Sequence, residues 1–295
     1  MPYVLLILTT LFWSGNFVLS RGMHAVMPPL ALSFWRWTVA LLLLLIVAHH
    51  HLRAQYPLLR THGRFIVLQG LLGVLGFNTL LYLAMQQTTA INAVLVNSCI
   101  PVLIVLFSWL LYRETMSLRQ CCGVLVSLLG VLWIMVKGNV ATLLKVSFNQ
   151  GDLLVLAAAV VWALYSSNLK RYPNGMHPLA YLTAISIVGL TAIFPFYLLE
   201  FAGGKSFEVN TATVVTICYV AVFASVLAFI FWNAAIRAIG ANKAGPFVHL
   251  MPVFSTILAV LFLDETLAWH HAYGAALIFG GILMTTFRTG RSKAL

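Results

Sequence analysis

Residues 10–31 read TLFWSGNFVLSRGMHAVMPPLA, and residues 159–180 read AVVWALYSSNLKRYPNGMHPLA. Trp13 recurs as Trp162 and the run Pro29-Leu30-Ala31 as Pro178-Leu179-Ala180, both at an offset of 149. Further along, Ala84 recurs as Ala235, Pro101 as Pro252, Glu114-Thr115 as Glu265-Thr266, Gly123 as Gly274 and Gly130 as Gly281, all at 151. The two-residue change falls between the second and third apolar segments, where a loop absorbs it. Each half holds an odd number of such segments. An odd unit repeated head to tail is inverted in the membrane relative to its copy, and inverted repeats offer two similar packings, one open to each side.

The composition demands a bilayer. The chain is 62% apolar and 8% charged with a mean hydropathy of +0.98, against roughly 25% charged residues in soluble chains. Ten stretches reach the roughly 17–25 residues that a spanning helix needs, near 3–21, 29–48, 65–86, 90–112, 119–136, 151–169, 178–200, 211–236, 241–263 and 270–287. The expected fold is all-α: a polytopic membrane protein of ten transmembrane helices, two inverted five-helix repeats around a central cavity. The first repeat occupies 1–136, an outer connection 137–150, the second repeat 151–287 and a cytoplasmic tail 288–295. The first segment has no basic leader region and no small-residue cleavage site, and it has a counterpart in the sixth, so it is read as a span and not as a signal peptide.

The net charge of +11 would suit a nucleic-acid partner, but its placement points to topology. With the N-terminus inside, inner loops and tail hold Arg53, Arg60, Arg64, Arg113, Arg119, Lys170, Arg171, Arg237, Lys243, Arg288, Arg291 and Lys293. Outer loops hold Arg21, Lys137, Lys145 and Lys205, and Arg36 lies within a span: 12, 4 and 1 of the 17 cations. The positive-inside rule then sets both termini in the cytoplasm. Five of the six acids, Asp152, Glu200, Glu208, Asp264 and Glu265, fall on the outer side. Short loops suggest a bacterial cytoplasmic (inner) membrane. The partners are the lipid bilayer and a small-molecule substrate, with no nucleic acid; a monomer is sufficient, with a homodimer as the alternative.

Cys99, Cys121, Cys122 and Cys218 suit no disulfide framework and have no metal-ligand spacing with histidine. They read as small apolar filler. The run His49-His50-His51 lacks further ligands at useful spacing. No metal, cofactor or catalytic residue is expected.

Polar groups within spans are costly and therefore face a cavity or a partner helix. Trp13, Asn16 and Ser20 share one face of the first span, opposite Trp162, Tyr165 and Leu169 in the repeat. Asn78 and Tyr82 share a face of the third, opposite Phe229 and Asn233. Amides beside flat aromatic walls suit a small, partly polar metabolite; the alternative is hydrogen-bonded glue between helices. Pro101 and Pro252 sit mid-span and free the carbonyls of Asn97 and Val248, which makes them candidate hinges. Arg36 lies seven residues past Pro29, about 10 Å along its helix. Three roles stand open for it: snorkelling to the outer headgroups, bonding to helix carbonyls, or holding an anionic substrate group. His249, opposite Ser98, is either a proton relay or a packing residue. No carboxylate lies mid-membrane to serve as a proton switch. Gly123 with Gly130, and Gly274 with Gly281, make small faces for close helix packing, which assigns the fifth and tenth spans a peripheral scaffold role. Gly70, Gly73 and Gly76 do the same for the third span or give it flexibility.

Together, Trp13-Ser14-Gly15-Asn16, Arg36, Asn78 with Tyr82 and Ala84, Ala90, Pro101, Glu114, Gly123 and Gly130 resemble the EamA-domain branch of the drug/metabolite transporter superfamily. Trp162, Ala235, Ala241, Pro252, Glu265, Gly274 and Gly281 echo the pattern in the second half. The resemblance implies ten spans in an inverted-repeat basket, a cavity lined mainly by spans one to four and six to nine, and export of small metabolites, often amino acids or related compounds. Tyr165 in place of a second Asn16, and Ile185 in place of a second Arg36, depart from a symmetric site. The expected function is secondary export of a small amphipathic metabolite by alternating access, through Trp13, Asn16, Arg36, Asn78, Tyr82, Asn97, Trp162, Tyr165, Asn233 and His249. The alternative is a nucleotide-sugar or lipid-linked sugar translocator, which would need more buried cations than Arg36 alone supplies. An intramembrane enzyme would need buried acids, a metal cluster or a paired nucleophile.

Overall fold

The computed structural model describes residues 1–23, 26–88, 90–139, 141, 149–262 and 266–287. The Asp264-Glu265 pair, the tail 288–295 and most of the connection 137–150 lie outside them. The described residues form helices and no strands. The long ones are, in chain order, α1 Pro2–Met23, α2 Pro29–Ala54, α3 Gly63–Ala84, α4 Asn92–Tyr112, α5 Leu118–Met135, α6 Gln150–Arg171, α7 Pro178–Ala202, α8 Thr211–Ile239, α9 Ala241–Phe262 and α10 Trp269–Thr286, with a short helix Tyr56–Thr61 between α2 and α3. Nine of them are long and apolar enough to cross a membrane, where ten spans were expected. The tenth is α10, 18 residues long, whose opening Trp269-His270-His271 dilutes its apolar character.

Helix ends follow local chemistry. Pro29 and Pro178 occupy the first turns of α2 and α7, where a missing N–H costs nothing. Capping boxes at Ser117 with Gln120, and at Asn149 with Asp152, start α5 and α6, each satisfying two orphan donors. The Asp152 carboxylate also receives the Asn92 amide at 2.9 Å and the Thr88 hydroxyl, tying α6 to α4. Glu200, at the end of α7, accepts the Ala31 N–H at 2.8 Å, placing an anion at the positive end of α2.

Four helices are interrupted, at matched places in the two halves. α3 is a π-helix over Gly70–Gly76 and α8 over Val220–Leu227, the same segment shifted by 151 with one more residue at its start. α4 breaks at residues 98–99, and α9 tightens to a 3-10 turn over Gly245–Leu250. Such irregularities leave carbonyls without helical partners, and in a membrane these need partners from elsewhere. Lipid does not reward burial of apolar surface, so backbone approach and dispersion hold the helices together. α5 and α10 show this most directly. A Cβ on Gly123 would meet the Gly281 carbonyl at 2.6 Å, and one on Gly130 the Gly274 carbonyl at 2.6 Å. Gly70 and Gly189 let α3 and α7 meet in the same way, against Val188 and Val74.

The expectation of a peripheral scaffold role needs correction for the fifth helix. Ser127, Val131 and Ile134 of α5 reach inward to His249 and the cavity beside it. The glycine face of α5 packs on α10, while other residues of α5 line the cavity.

Candidate functional site

The centre is an aromatic slot. The rings of Trp13 and Trp162, repeat counterparts, meet edge to face at 5.1 Å. Phe77 lies 4.9 Å and Phe229 5.5 Å from Trp162. With Asn16, Asn78 and Asn97 they enclose about 20 Å³ of free space, enough for a single water. The slot is thus nearly closed in this conformation.

Behind one wall sits Arg36, 1% exposed. Its Nε donates to the Ser225 hydroxyl at 2.7 Å, and one terminal nitrogen donates to Asn78 Oδ1 at 2.9 Å and the Tyr82 hydroxyl at 2.7 Å. The other donates to the Ala224 carbonyl at 3.2 Å. Snorkelling to the headgroups, one of the three open readings, is therefore wrong: neutral acceptors on α3 and α8 hold the guanidinium indoors. The π-helical segment of α8 is what supplies the Ala224 carbonyl, which also accepts from Trp13 Nε1 at 3.2 Å. No acid bonds Arg36 among the described residues, so its charge is spread over dipoles and not cancelled. Tyr82 relays it by donating to Asn16 Oδ1 at 3.3 Å, and Asn78 and Asn16 carry the polarised wall into the slot.

The opposite wall differs. Asn97 is 6% exposed, and its Oδ1 accepts no hydrogen bond among the described residues. A buried orphan acceptor of this kind costs about 1–3 kcal/mol unless a ligand or water fills it. Asn97 also borders a second space of about 230 Å³, shared through Phe17, Val248 and Met251, with Lys137 in its lining. His249 stands in the wall of this side cavity. Its Nδ1 lies 2.7 Å from Ser127 Oγ and its Nε2 2.9 Å from the Ser98 carbonyl, so the ring staples the α4 break to α9 and α5. Pro252 lines the same cavity, while Pro101 packs against Gly245 at the start of the 3-10 turn.

A third space of about 390 Å³ opens at the end of the bundle where α4, α6 and α8 finish and α9 starts, lined by Glu114, Lys170, Tyr172 and Arg237. Lys170 pairs with Glu114 at 2.6 Å, and the Arg237 guanidinium sits 4.0 Å over the Tyr172 ring. Burial pushes the Tyr172 phenol up to about 12 in spite of the opposing pull of Arg237.

The candidate residues thus divide. Trp13, Asn16, Asn78, Asn97 and Trp162 line the slot, and His249 lines the side cavity. Arg36, Tyr82, Tyr165 and Asn233 are buried behind them, with the Tyr165 hydroxyl donating to Asn233 Oδ1 at 2.8 Å. Sequence reading missed Ser225 and Ala224 as partners of Arg36, Ser127 as partner of His249, and the Glu114–Lys170 pair. The only advance signal was the glycine run in α3, whose counterpart in α8 is the π-helical segment.

Comparison with known proteins agrees with this fold. An uncharacterized transporter, YyaM of Bacillus subtilis, is 25% identical over 281 residues, 95% of this chain and 92% of its own length. A probable amino-acid metabolite efflux pump of Salmonella typhimurium is 27% identical over 298 residues, 96% and 94% of the two chains. A solved crystal structure matches with a TM-score of 0.77 at 21% identity, over 97% of this chain and 96% of that one, a likeness of fold alone. A model of the EamA-like transporter family matches residues 1–136 and 149–287, nearly the whole chain in two halves, and the chain belongs to that family.

Proposed function

We propose that this integral membrane transporter exports small amphipathic zwitterions, amino acids or related compounds, by alternating access of two inverted five-helix halves. The observation that carries this reading is the polarity of the slot. One wall is biased positive by the uncancelled charge of Arg36 behind Asn78, Tyr82 and Asn16. The other presents the free Asn97 Oδ1, an acceptor for an ammonium group. Between them lie the flat faces of Trp13, Trp162, Phe77 and Phe229, which suit an apolar side chain and add cation–π attraction. A carboxylate toward Asn78 and an ammonium toward Asn97 orient the solute across the slot. Pro101 and Pro252 serve as hinges. The name of the Salmonella relative is in keeping with this substrate class.

In this reading the excess of cations in the inner loops orients both termini to the cytoplasm, so that the end with Lys170 and Arg237 faces the cytoplasm and the side cavity with Lys137 faces outward. The nucleotide-sugar alternative is disfavoured because phosphates would want several buried cations at the centre and, among the described residues, the slot has only Arg36 behind it.

The test is a metabolite panel measured in the medium of cells with and without overexpression, followed by flux in proteoliposomes. Accumulation of a few amino acids outside, lost in Asn97→Leu, is the expected result. Proteoliposomes that move no solute from a broad amino-acid and metabolite panel would sink the reading.

A further inference from the structure

The cavity at the Lys170 end is not part of the central slot, and its charge is unbalanced. Two cations, Lys170 and Arg237, line it against one acid, Glu114. Arg237 has no acid partner among the described residues and rests on the face of Tyr172. The Glu114–Lys170 pair is half-exposed, with side chains 32% and 46% accessible, so water screens it and its net worth is small. Each of these features favours exchange of Glu114 for another anion.

The pair also closes a seam. Below it, the Tyr112 hydroxyl donates to Asn168 Oδ1 at 2.5 Å, and the Ser108 hydroxyl bonds Ser167 Oγ at 3.2 Å. These contacts join α4 of the first half to α6 of the second. Ser167 lines the cavity itself, so an occupant sits against the seam. We infer that this cavity is a docking site for a soluble carboxylate, which binds Lys170 and Arg237 in place of Glu114 and so loosens the α4–α6 seam. A carboxylate is favoured because it replaces the Glu114 carboxylate against Lys170 in kind, and the planar fork of Arg237 takes it with two hydrogen bonds. The link between docking and passage of an amino acid rests on the exporter reading; the docking does not.

The test uses the full chain in phosphatidylcholine nanodiscs with radiolabelled benzoate, and benzamide as its neutral isostere. Benzoate is expected to bind saturably and benzamide not to displace it. Glu114→Gln removes the internal competitor and tightens benzoate binding several-fold. Lys170→Gln and Arg237→Gln weaken it by about tenfold or more, the worth of a charge-assisted hydrogen bond, while Lys170→Arg retains it. Equal competition by benzamide, or affinity indifferent to Glu114→Gln and Lys170→Gln, overturns the site. Should Glu114→Gln not fold, the contrast between Lys170→Arg and Lys170→Gln decides. Loss of benzoate binding when phosphatidylglycerol replaces part of the lipid would instead assign the cavity to a lipid headgroup and overturn the soluble ligand. Asn97→Leu is expected to leave benzoate binding unchanged. Benzoate binding without any amino-acid flux would therefore sink the exporter reading and keep the docking site.

Discussion

His249 and Ser98 occupy the same position in the two halves of the chain, 151 residues apart, and they touch: the Nε2 of His249 lies 2.9 Å from the Ser98 carbonyl. The two tryptophans at matched positions, Trp13 and Trp162, touch as well. The halves therefore meet through equivalent residues, and His249 and Ser98 do so at the breaks, where α4 loses its helical pattern and α9 tightens. The histidine supplies a partner to a carbonyl at the break and, through Ser127, draws in α5.

Removing that staple strips the buried Ser98 carbonyl of its side-chain partner, while Ser127 keeps the Val124 carbonyl. His249→Ala is expected to destabilise the protein by about 1–3 kcal/mol, and His249→Asn, which keeps a donor, by less. Thermal midpoints in detergent give the comparison; an unchanged midpoint in the alanine variant refutes the staple.

Arg36 bonds through Nε and both terminal nitrogens at once. Arg36→Lys keeps the charge and loses the fork, so Asn78, Ser225 and the Ala224 carbonyl no longer share one donor group. Export is expected to fall about tenfold or more, with stability lower by about 1–3 kcal/mol. Wild-type flux in Arg36→Lys would show that only the charge matters.

Asn97 predicts the reverse balance. Its Oδ1 has no partner among the described residues, so Asn97→Leu is expected to cost no stability and to abolish most of the export. A stable variant with full flux would remove Asn97 from the binding site.

The α5–α10 interface offers a controlled pair. Gly130→Ala drives a methyl against the Gly274 carbonyl at 2.6 Å and is expected to cost about 1–3 kcal/mol. Gly280 has open space where its Cβ would be, so Gly280→Ala is expected to be neutral or to stabilise by up to about 1 kcal/mol. Equal effects of the two would show that close approach is not what holds these helices.

His177 caps α7 by accepting the Leu179 N–H on Nδ1 at 3.3 Å, and it stacks on His51 at 3.6 Å. Desolvation, and then the neighbouring His51, hold its pKa below 6.5. A group with a lowered pKa favours the folded state when neutral, so this contribution is complete above pH 6.5 and fades as pH falls below it. His177→Asn keeps the cap and is expected to flatten that part of the pH–stability profile.

Much of the fold was legible because a bilayer leaves few choices. Runs of apolar residues must be helices, since lipid offers no partner for a backbone N–H or C=O. The glycines at 123, 130, 274 and 281 announced a close interface, because only a missing side chain permits it. The site was less legible. Trp13, Asn16, Asn78 and Trp162 follow from helical spacing and the repeat, but spacing cannot show that Arg36 faces α8. That contact depends on the π-helical segment turning the Ala224 carbonyl and Ser225 toward it.

The sequence by itself determined the membrane, the helices, the doubling and the family, each set by composition or by local periodicity. Only the tertiary structure decided which polar groups are partnered. Arg36 proved held, Asn97 free, and Glu114 paired with Lys170 of the other half. Hydrogen bonds between helices depend on rotation and depth to within an ångström, and residues as far apart in the chain as Arg36 and Ser225 carry no local trace of their meeting.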